Sequence, residues 1–150
     1  MKKFKRILIP TDGSSYSNEA VQKGLTLAKQ IGSEVTAIYV INRAQNTGII
    51  TIGHPDDLYI SLSEEAKNAL GFVRKYAEVI DLNVNTQILD GVPWEEIVKK
   101  SNDYDLIVMG TLGKTGITRI RLGSVAEKVT RHASCPVMII RNGFAVNGRA

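Results

Sequence analysis

Short apolar runs alternate along the chain with longer segments of helical period, and this alternation sets the fold class. The runs are rich in β-branched and aliphatic residues, which is typical of strands buried on both faces. Five strands are predicted: Phe4–Pro10, Glu34–Ile41, Asn83–Leu89, Tyr104–Gly110 and Cys135–Arg141. Because strands that alternate with helices form parallel sheets, we expect one mainly parallel sheet with helices on both faces.

The segments between these strands predict the helices. Apolar residues recur there every three or four positions, and proline, glycine or serine marks the ends. The first predicted helix follows TDGSS, with periodic apolar residues from Ala20 to Ile31 and a stop at Gly32. The others run from about Asp56 to Ile80, from Pro93 to about Ser101, and from Ser124 onward. Residues 42–54 show no period and predict a long loop, and residues 142–150 predict a frayed tail.

Length and composition indicate a single packed domain over residues 1–141. The chain has 150 residues, of which 43% are apolar and 23% charged, as in ordinary globular proteins. Its longest apolar stretches, such as Leu106–Met109, are too short to cross a bilayer, and the start lacks a signal-peptide pattern. With Cys135 as the single cysteine, no internal disulfide can form, so we expect a cytoplasmic protein and no membrane partner.

The net charge of +4 gives little support to nucleic-acid binding. Lysines and arginines are scattered among acidic residues, and no block of five or six like charges occurs. His54 and His132 have no partner at metal-ligand spacing, so no metal site is predicted. The charge balance favours a partner of modest negative charge over a long polyanion.

A glycine-rich connection, MGTLGKTGITRIRLGSV, follows the fourth predicted strand. Gly110 and Gly113 are separated by two residues, and nine more precede Gly123 and Ser124. Glycines let main-chain N–H groups converge on an anion, and a helix that begins at Ser124 adds its own free N–H groups. Basic residues lie in the same connection at Lys114, Arg119 and Arg121. This composition is typical of a phosphate-binding loop.

Two better-known phosphate loops do not fit this connection. The Walker A pattern needs a glycine five positions before Gly113, where this chain has Val108. The dinucleotide pattern G-x-G-x-x-G fails because Thr111 and Leu112 both separate the first two glycines. Kinase-type P-loop chemistry and dinucleotide binding are therefore not supported.

Purely structural roles also explain individual residues of the loop. Ser124 with Glu127 three positions later forms the pattern of a capping box, which would account for Ser124 by helix initiation alone. Gly110 can end a strand and Gly123 can serve a turn. It is the joint spacing of these residues that favours phosphate binding.

The first strand ends in a second group of candidate binding residues, ILIPTDGSS. Asp12 there fits two roles equally well: it can accept hydrogen bonds from ribose hydroxyls or an adenine amine, or it can cap the following turn. Pro10 and Thr11 lie beside it at the carboxyl end of the strand, and Thr11 also fits a simple continuation of the turn. In parallel sheets, ligands bind at this edge, where the strand order reverses.

The sequence resembles the universal stress proteins across almost its whole length. The resemblance is carried by ILIPTDGS, by VPWEEIVKKSNDYDLIVMGTLGKTG, by the G-x-x-G-x9-G-S spacing and by SCPVMIIR. It implies an open, twisted, five-stranded parallel sheet of strand order 3-2-1-4-5, similar to Rossmann-like and adenine nucleotide alpha hydrolase-like folds. It also implies ATP binding, with ADP or AMP as alternatives, and Mg²⁺ carried by the phosphates.

The resemblance assigns roles to individual positions. Asp12 is expected to contact the nucleoside and the backbone of Val40 to contact adenine. Phosphate contacts fall on the glycine loop and on the helix that follows, with Leu112 at a position that is often polar in the family. The complete implied site is Pro10, Thr11, Asp12, Val40, Met109, Gly110, Leu112, Gly113, Gly123, Ser124, Val125 and Ala126.

The resemblance implies a stress-response regulatory or protective module that acts with an unknown protein partner. Beyond Asp12 the sequence offers no acid, base or nucleophile for the γ-phosphate, so hydrolysis is expected to be slow at most. A homodimer is implied through the last strand, Val137–Ile140. Two alternatives remain open: an ATP-hydrolysing or adenylate-transferring enzyme on the same fold, and a dimeric interaction module without nucleotide.

Overall fold

A computed structural model of the protein describes residues 3–43, 55–111 and 122–141. Within them, strands and helices alternate as the sequence predicts. The elements are β1 (Arg6–Pro10), α1 (Ser15–Ile31), β2 (Glu34–Ile41), α2 (Pro55–Val79), β3 (Val84–Asp90), α3 (Pro93–Ser101), β4 (Leu106–Gly110), α4 (Ser124–His132) and β5 (Val137–Ile140). Residues 44–54 of the predicted loop and the predicted tail, 142–150, lie outside the described residues.

The strands form one parallel sheet of order β3-β2-β1-β4-β5, which confirms the predicted fold class. Pairing between β1 and β2 reaches Pro10, which lies opposite Ile38. Pairing between β1 and β4 runs only from Ile7 to Leu8. The chain leaves the first half of the sheet at β3 and re-enters it on the other side of β1, so the order reverses between β1 and β4.

Alternate residues of each central strand supply two separate cores. Ile7 and Ile9 of β1 pack with residues of α1 and α2, whereas Leu8 packs with residues of α3 and α4. Leu25 of α1 and Val73 of α2 belong to the first core. The helices therefore cover both faces in pairs, and all four point their N-terminal ends toward the carboxyl edge of the parallel strands.

Several predicted strand ends are wrong by one or two residues, and hydrogen bonds explain three of them. The predicted first and fourth strands begin too early because Asp105 lies outside β4 and its carboxylate Oδ2 accepts the N–H groups of Lys5 and Arg6, each at 2.9 Å. The last strand begins later than predicted because the Ser134 N–H donates to Ser101 Oγ at 2.8 Å, which ties the preceding turn to α3. The third strand is shifted by one residue.

Gly24 lets α1 approach the centre of the sheet. A Cβ at this position would lie 2.8 Å from Ile9 Cδ1 and 3.1 Å from Val108 Cγ1, both of which belong to fully buried residues. A Cβ at Gly71 of α2, in contrast, would meet no neighbouring atom within 4 Å. The two helical glycines therefore differ in packing while sharing the same weak helix propensity.

We predict opposite stability changes for alanine at these two positions. Gly71→Ala should raise the free energy of unfolding by about 0.5–1 kcal/mol, because it gains helix propensity in open space. Gly24→Ala should lower it by about 1 kcal/mol, because overpacking exceeds the same propensity gain. Urea unfolding monitored by circular dichroism measures both, and equal stabilisation by the two substitutions would contradict the close approach of α1 to β1 and β4.

Candidate functional site

A cavity of about 420 Å³ opens at the carboxyl edge of the sheet, above the ends of β1 and β4. Ligand pockets typically measure roughly 300–1,000 Å³, so the space suits a small organic ligand. The described members of the predicted site all line it: Pro10, Thr11, Asp12, Val40, Met109, Gly110, Gly123, Ser124, Val125 and Ala126. Leu112 and Gly113 lie outside the described residues, as do Lys114, Arg119 and Arg121. We call this cavity the crevice.

The crevice exists because β1 and β4 part before they end. The backbone groups of successive residues in β1 point alternately toward β2 and β4. The Arg6 carbonyl accepts from the N–H of Asp105, next to β4, so the backbone of Pro10, four residues later, also faces β4. Proline has no N–H to continue the ladder with β4. Pro10 thus lies at the position where hydrogen bonding between the two strands has stopped.

A compact turn at the end of β1 shapes one wall of the crevice. The Thr11 hydroxyl is buried, and it accepts hydrogen bonds from the Gly13 N–H at 3.1 Å and from Ser17 Oγ at 2.8 Å. Asp12 Oδ1 accepts from the Ser14 N–H at 2.9 Å, and Ser14 Oγ accepts from the Ser17 N–H at 3.1 Å. Ser14 is the N-cap of α1. Asp12 and Thr11 therefore both serve the turn, and both also line the crevice.

Gly13 brings this turn against α2. Its φ of 77° lies in the left-handed region, and a Cβ there would be 3.1 Å from the Cβ of Ala69. Leu62 and Glu65, on the same helix, line the crevice from that side. The turn and the middle of α2 are thereby packed as one wall.

The backbone of Val40 points into the crevice. The Ile38 carbonyl accepts from the Thr11 N–H at 2.9 Å, so even-numbered residues of β2 direct their backbone groups toward β1. The Ile41 carbonyl accepts instead from the Gly91 N–H at 3.0 Å, on the side of β3. Since β1 ends at Pro10, opposite Ile38, the strand does not extend far enough to pair with Val40. Val40 therefore offers an N–H donor and a C=O acceptor to the crevice.

The opposite wall is the N-terminal end of α4. Gly123 is the N-cap and makes no side-chain capping bond, and its N–H donates to the Thr111 carbonyl at 2.6 Å, which fixes the start of α4 beside the end of β4. Ser124, Val125 and Ala126 contribute the first turn. Uncapped N–H groups and the positive end of the helix dipole make this a favourable place for an anion.

The capping box predicted as an alternative role for Ser124 is wrong. Ser124 is the first residue inside the helix, so its hydroxyl does not occupy the N-cap position. Glu127, the other member of the predicted box, pairs with Arg131 one turn later, with Glu127 Oε1 and Arg131 Nη2 3.0 Å apart. Ser124 is exposed and lines the crevice.

Sequence reasoning missed the contribution of α2 and α3 to the crevice. Glu65 and Leu62 of α2 line it, as do Pro93 and Ile97 of α3. The helical period of the sequence identified the inward face of each helix. It carried no information on the strand ends against which that face packs. Asn42, just after β2, is a further polar residue of the crevice that the sequence did not single out.

Other chemically versatile side chains lie away from the crevice. Cys135 is partly buried in the core beneath α3 and α4, and burial, with a smaller contribution from the Asp105 carboxylate, raises the pKa of its thiol. The rings of Trp94 and His132 contact each other at a tilt of 40°, with their centroids 5.6 Å apart. Across residues 3–43, 55–111 and 122–141, no group of three or more His, Cys, Asp or Glu side chains is arranged to hold a metal ion.

In that part of the chain, no helix combines the length and apolarity needed to cross a membrane.

The fold and the crevice define an open α/β protein with a ligand-sized site where the strand order reverses. The sequence profile of the universal stress protein family matches residues 3–141. Universal stress protein MJ0531 of Methanocaldococcus jannaschii is 44% identical over 140 residues, covering 92% of this chain and 82% of that protein. The chain therefore belongs to the universal stress protein family.

Solved structures agree with this assignment. The structure of MJ0577, a protein of the same organism, superposes with a TM-score of 0.77 at 33% identity, covering 95% of this chain and 99% of that one. A universal stress protein crystallised in complex with cAMP has a TM-score of 0.72 at 20% identity, and covers 95% of this chain and all of that one. At that identity the second comparison supports the fold alone.

We predict that Thr11→Val destabilises the protein by about 1–3 kcal/mol. The substitution keeps the shape of the side chain but leaves the Gly13 N–H and the Ser17 hydroxyl without their acceptor in a buried place. Thr130→Val, which removes the hydrogen bond from the hydroxyl of an exposed residue to the Ala126 carbonyl on α4, is the matched control and should change stability by less than about 0.5 kcal/mol. Urea unfolding compares the two, and equal effects would contradict the role of Thr11 in the turn.

Proposed function

We propose that this protein binds an adenine nucleotide in the crevice and that nucleotide binding regulates its interaction with a protein partner. The observation that carries the proposal is the arrangement of complementary groups: a backbone donor and acceptor at Val40 on one side, and the N-terminal end of α4 on the other. Relatives of the same fold include a protein crystallised with cAMP, which is consistent with a nucleotide ligand.

The base is proposed to lie against β2. Adenine presents an exocyclic amine beside a ring nitrogen, that is, one donor next to one acceptor. The Val40 carbonyl and N–H are the complement of this pair and point away from β3. Met109 adds apolar surface for the ring. Guanine presents a carbonyl where adenine has its amine, and would set two acceptors against each other.

The sugar and phosphates are proposed to run from β1 to α4. Asp12, with Pro10 and Thr11, lies between Val40 at the base end of the crevice and α4 at the phosphate end. These residues supply carboxylate and backbone groups for ribose hydroxyls. The phosphates then meet Gly110, Gly123 and the first turn of α4. Leu112 and Gly113 complete the proposed phosphate site on sequence grounds alone.

We propose ATP as the ligand, with ADP or AMP as alternatives, and Mg²⁺ bound through the phosphates. Asp12 and Glu65 are the carboxylates among the described residues of the crevice, and Asp12 is already engaged in the turn. Neither is accompanied there by a histidine or lysine that would complete a hydrolytic arrangement. We therefore propose a cytoplasmic regulatory module with slow hydrolysis at most.

A homodimer through β5 is part of the same proposal. Strand β5 lies at the end of the described sheet, paired on one side with β4, and Met138 at its centre is 39% exposed. An unpaired apolar edge of this kind favours antiparallel addition of a second copy. Val137–Ile140 would form the contact.

The proposal predicts a selective effect of Ser124→Glu. A carboxylate in the first turn of α4 is favourable for the helix dipole, so the free energy of unfolding should stay the same or rise by up to about 1 kcal/mol. The same charge repels phosphate, so ATP affinity should fall by at least about tenfold while adenosine affinity changes by less than about twofold. Isothermal titration calorimetry with ATP and adenosine measures both affinities.

Ser124→Gln is the neutral control of the same size, and its loss of ATP affinity should be smaller than that of Ser124→Glu. If the glutamate variant binds ATP as well as the wild type, the phosphates do not lie at α4. If the wild type binds neither ATP nor adenosine, nucleotide binding is wrong and the interaction-module alternative is favoured.

A further inference from the structure

The first turns of α2 precede the part of the helix that lines the crevice, and few of their residues are buried. Residues 56–61 are exposed, apart from the partly buried Leu58, whereas the fully buried positions of the helix begin at Ala66. Leu62 and Glu65, which line the crevice, lie where these two parts meet. Leu62 packs against the core, so the contacts that the exposed turns make affect the N-terminal end of this wall.

Arg43 connects those turns to the ends of two strands. Its guanidinium carbon lies 4.2 Å from the centroid of the Tyr59 ring, in the second turn of α2. Its Nη2 lies 3.4 Å from Oδ2 of Asp90, the last residue of β3. Arg43 itself follows the end of β2, next to Asn42, which lines the crevice. One side chain thus joins α2, β2 and β3 at the edge of the crevice.

The position of Arg43 argues for an indirect role. Its guanidinium already contacts a carboxylate and an aromatic face, which satisfies its charge. It also lies at the ends of β2 and β3, whereas α4 follows β4, beyond β1 in the sheet order. Phosphates at α4 would be on the other side of the crevice from Arg43, which is on the side proposed for the base.

We propose that Arg43 is a positioning residue, a clamp that holds the first turns of α2 beside the base end of the crevice, steadies the wall at Leu62 and Glu65, and thereby slows release of the bound nucleotide. The proposal rests on the nucleotide-binding function proposed above. Cation–π contacts and ion pairs at exposed sites are individually weak, so the clamp affects the rate of release by a modest factor and leaves the fold intact.

The test measures the release rates of ATP and adenosine by surface plasmon resonance on the immobilised full-length protein. Arg43→Ala and Tyr59→Ala should each raise both release rates about fivefold, with association rates within about twofold of the wild type. The double variant should release no faster than either single variant, because both substitutions open the same clamp. Tyr59→Phe keeps the ring face and should behave as the wild type.

Arg74→Ala is the matched control. Arg74 Nη1 donates to Thr86 Oγ1 at 3.0 Å and joins the later part of α2 to β3, away from the crevice. This variant should leave both release rates within about twofold of the wild type. An equal acceleration by Arg74→Ala would mean that general loosening of α2 is responsible, and would overturn the clamp.

Two further results would overturn the proposal. Faster release of ATP alone, with adenosine release unchanged in Arg43→Ala, would mean that Arg43 contacts phosphate directly. Unchanged release of both ligands would mean that the contacts with Tyr59 and Asp90 do not affect the crevice. A wild type that binds neither ligand would overturn the nucleotide-binding function itself, which separates that failure from failure of the clamp.

Discussion

The site depends on the early end of hydrogen bonding between β1 and β4. Pairing between these strands stops at Leu8, while β1 continues along β2 to Pro10. Because the order of the sheet reverses at this point, no crossover helix covers the gap, and the missing N–H of Pro10 keeps the two strand ends apart. The crevice, the exposed backbone of Val40 and the position of the Thr11–Asp12 turn all follow from this separation.

Parallel topology supplies the electrostatic character of the crevice. Every helix that follows a strand begins at the carboxyl edge, so the first residues of α1, α3 and α4 converge there. Ser14 caps α1 with its side chain, whereas α4 begins at Gly123 without a side-chain cap. Helix α3 also lacks a side-chain cap, but Pro93 removes one of its N–H donors and its first turn carries Glu95 and Glu96. The donors at α4 are therefore the more favourable ones for an anionic ligand.

Most of the fold and part of the site could be predicted from the sequence, for identifiable reasons. Strands buried in a parallel sheet appear in the sequence as continuous apolar runs, and the helices that cover the sheet appear as apolar residues at every third or fourth position. The fold class and the order of the elements could therefore be predicted. Exact strand ends could not be predicted, because the carboxylate of Asp105 accepts hydrogen bonds from backbone N–H groups 99 and 100 positions earlier. For the same reason Glu65 and Arg43 were missed: each reaches the crevice or its edge through contacts between elements distant in sequence.

We propose that one crevice binds both parts of the nucleotide, the base at Val40 and the phosphates at α4. Amide chemical shifts in ¹H–¹⁵N NMR spectra, recorded with adenosine and then with ATP and Mg²⁺, test it most directly. Adenosine should shift the Val40 amide, and ATP should additionally shift the amides of Ser124, Val125 and Ala126. Shifts confined to the shallow groove between α1 and α2, around Thr26 and Tyr76, or no shifts with either ligand, would contradict it.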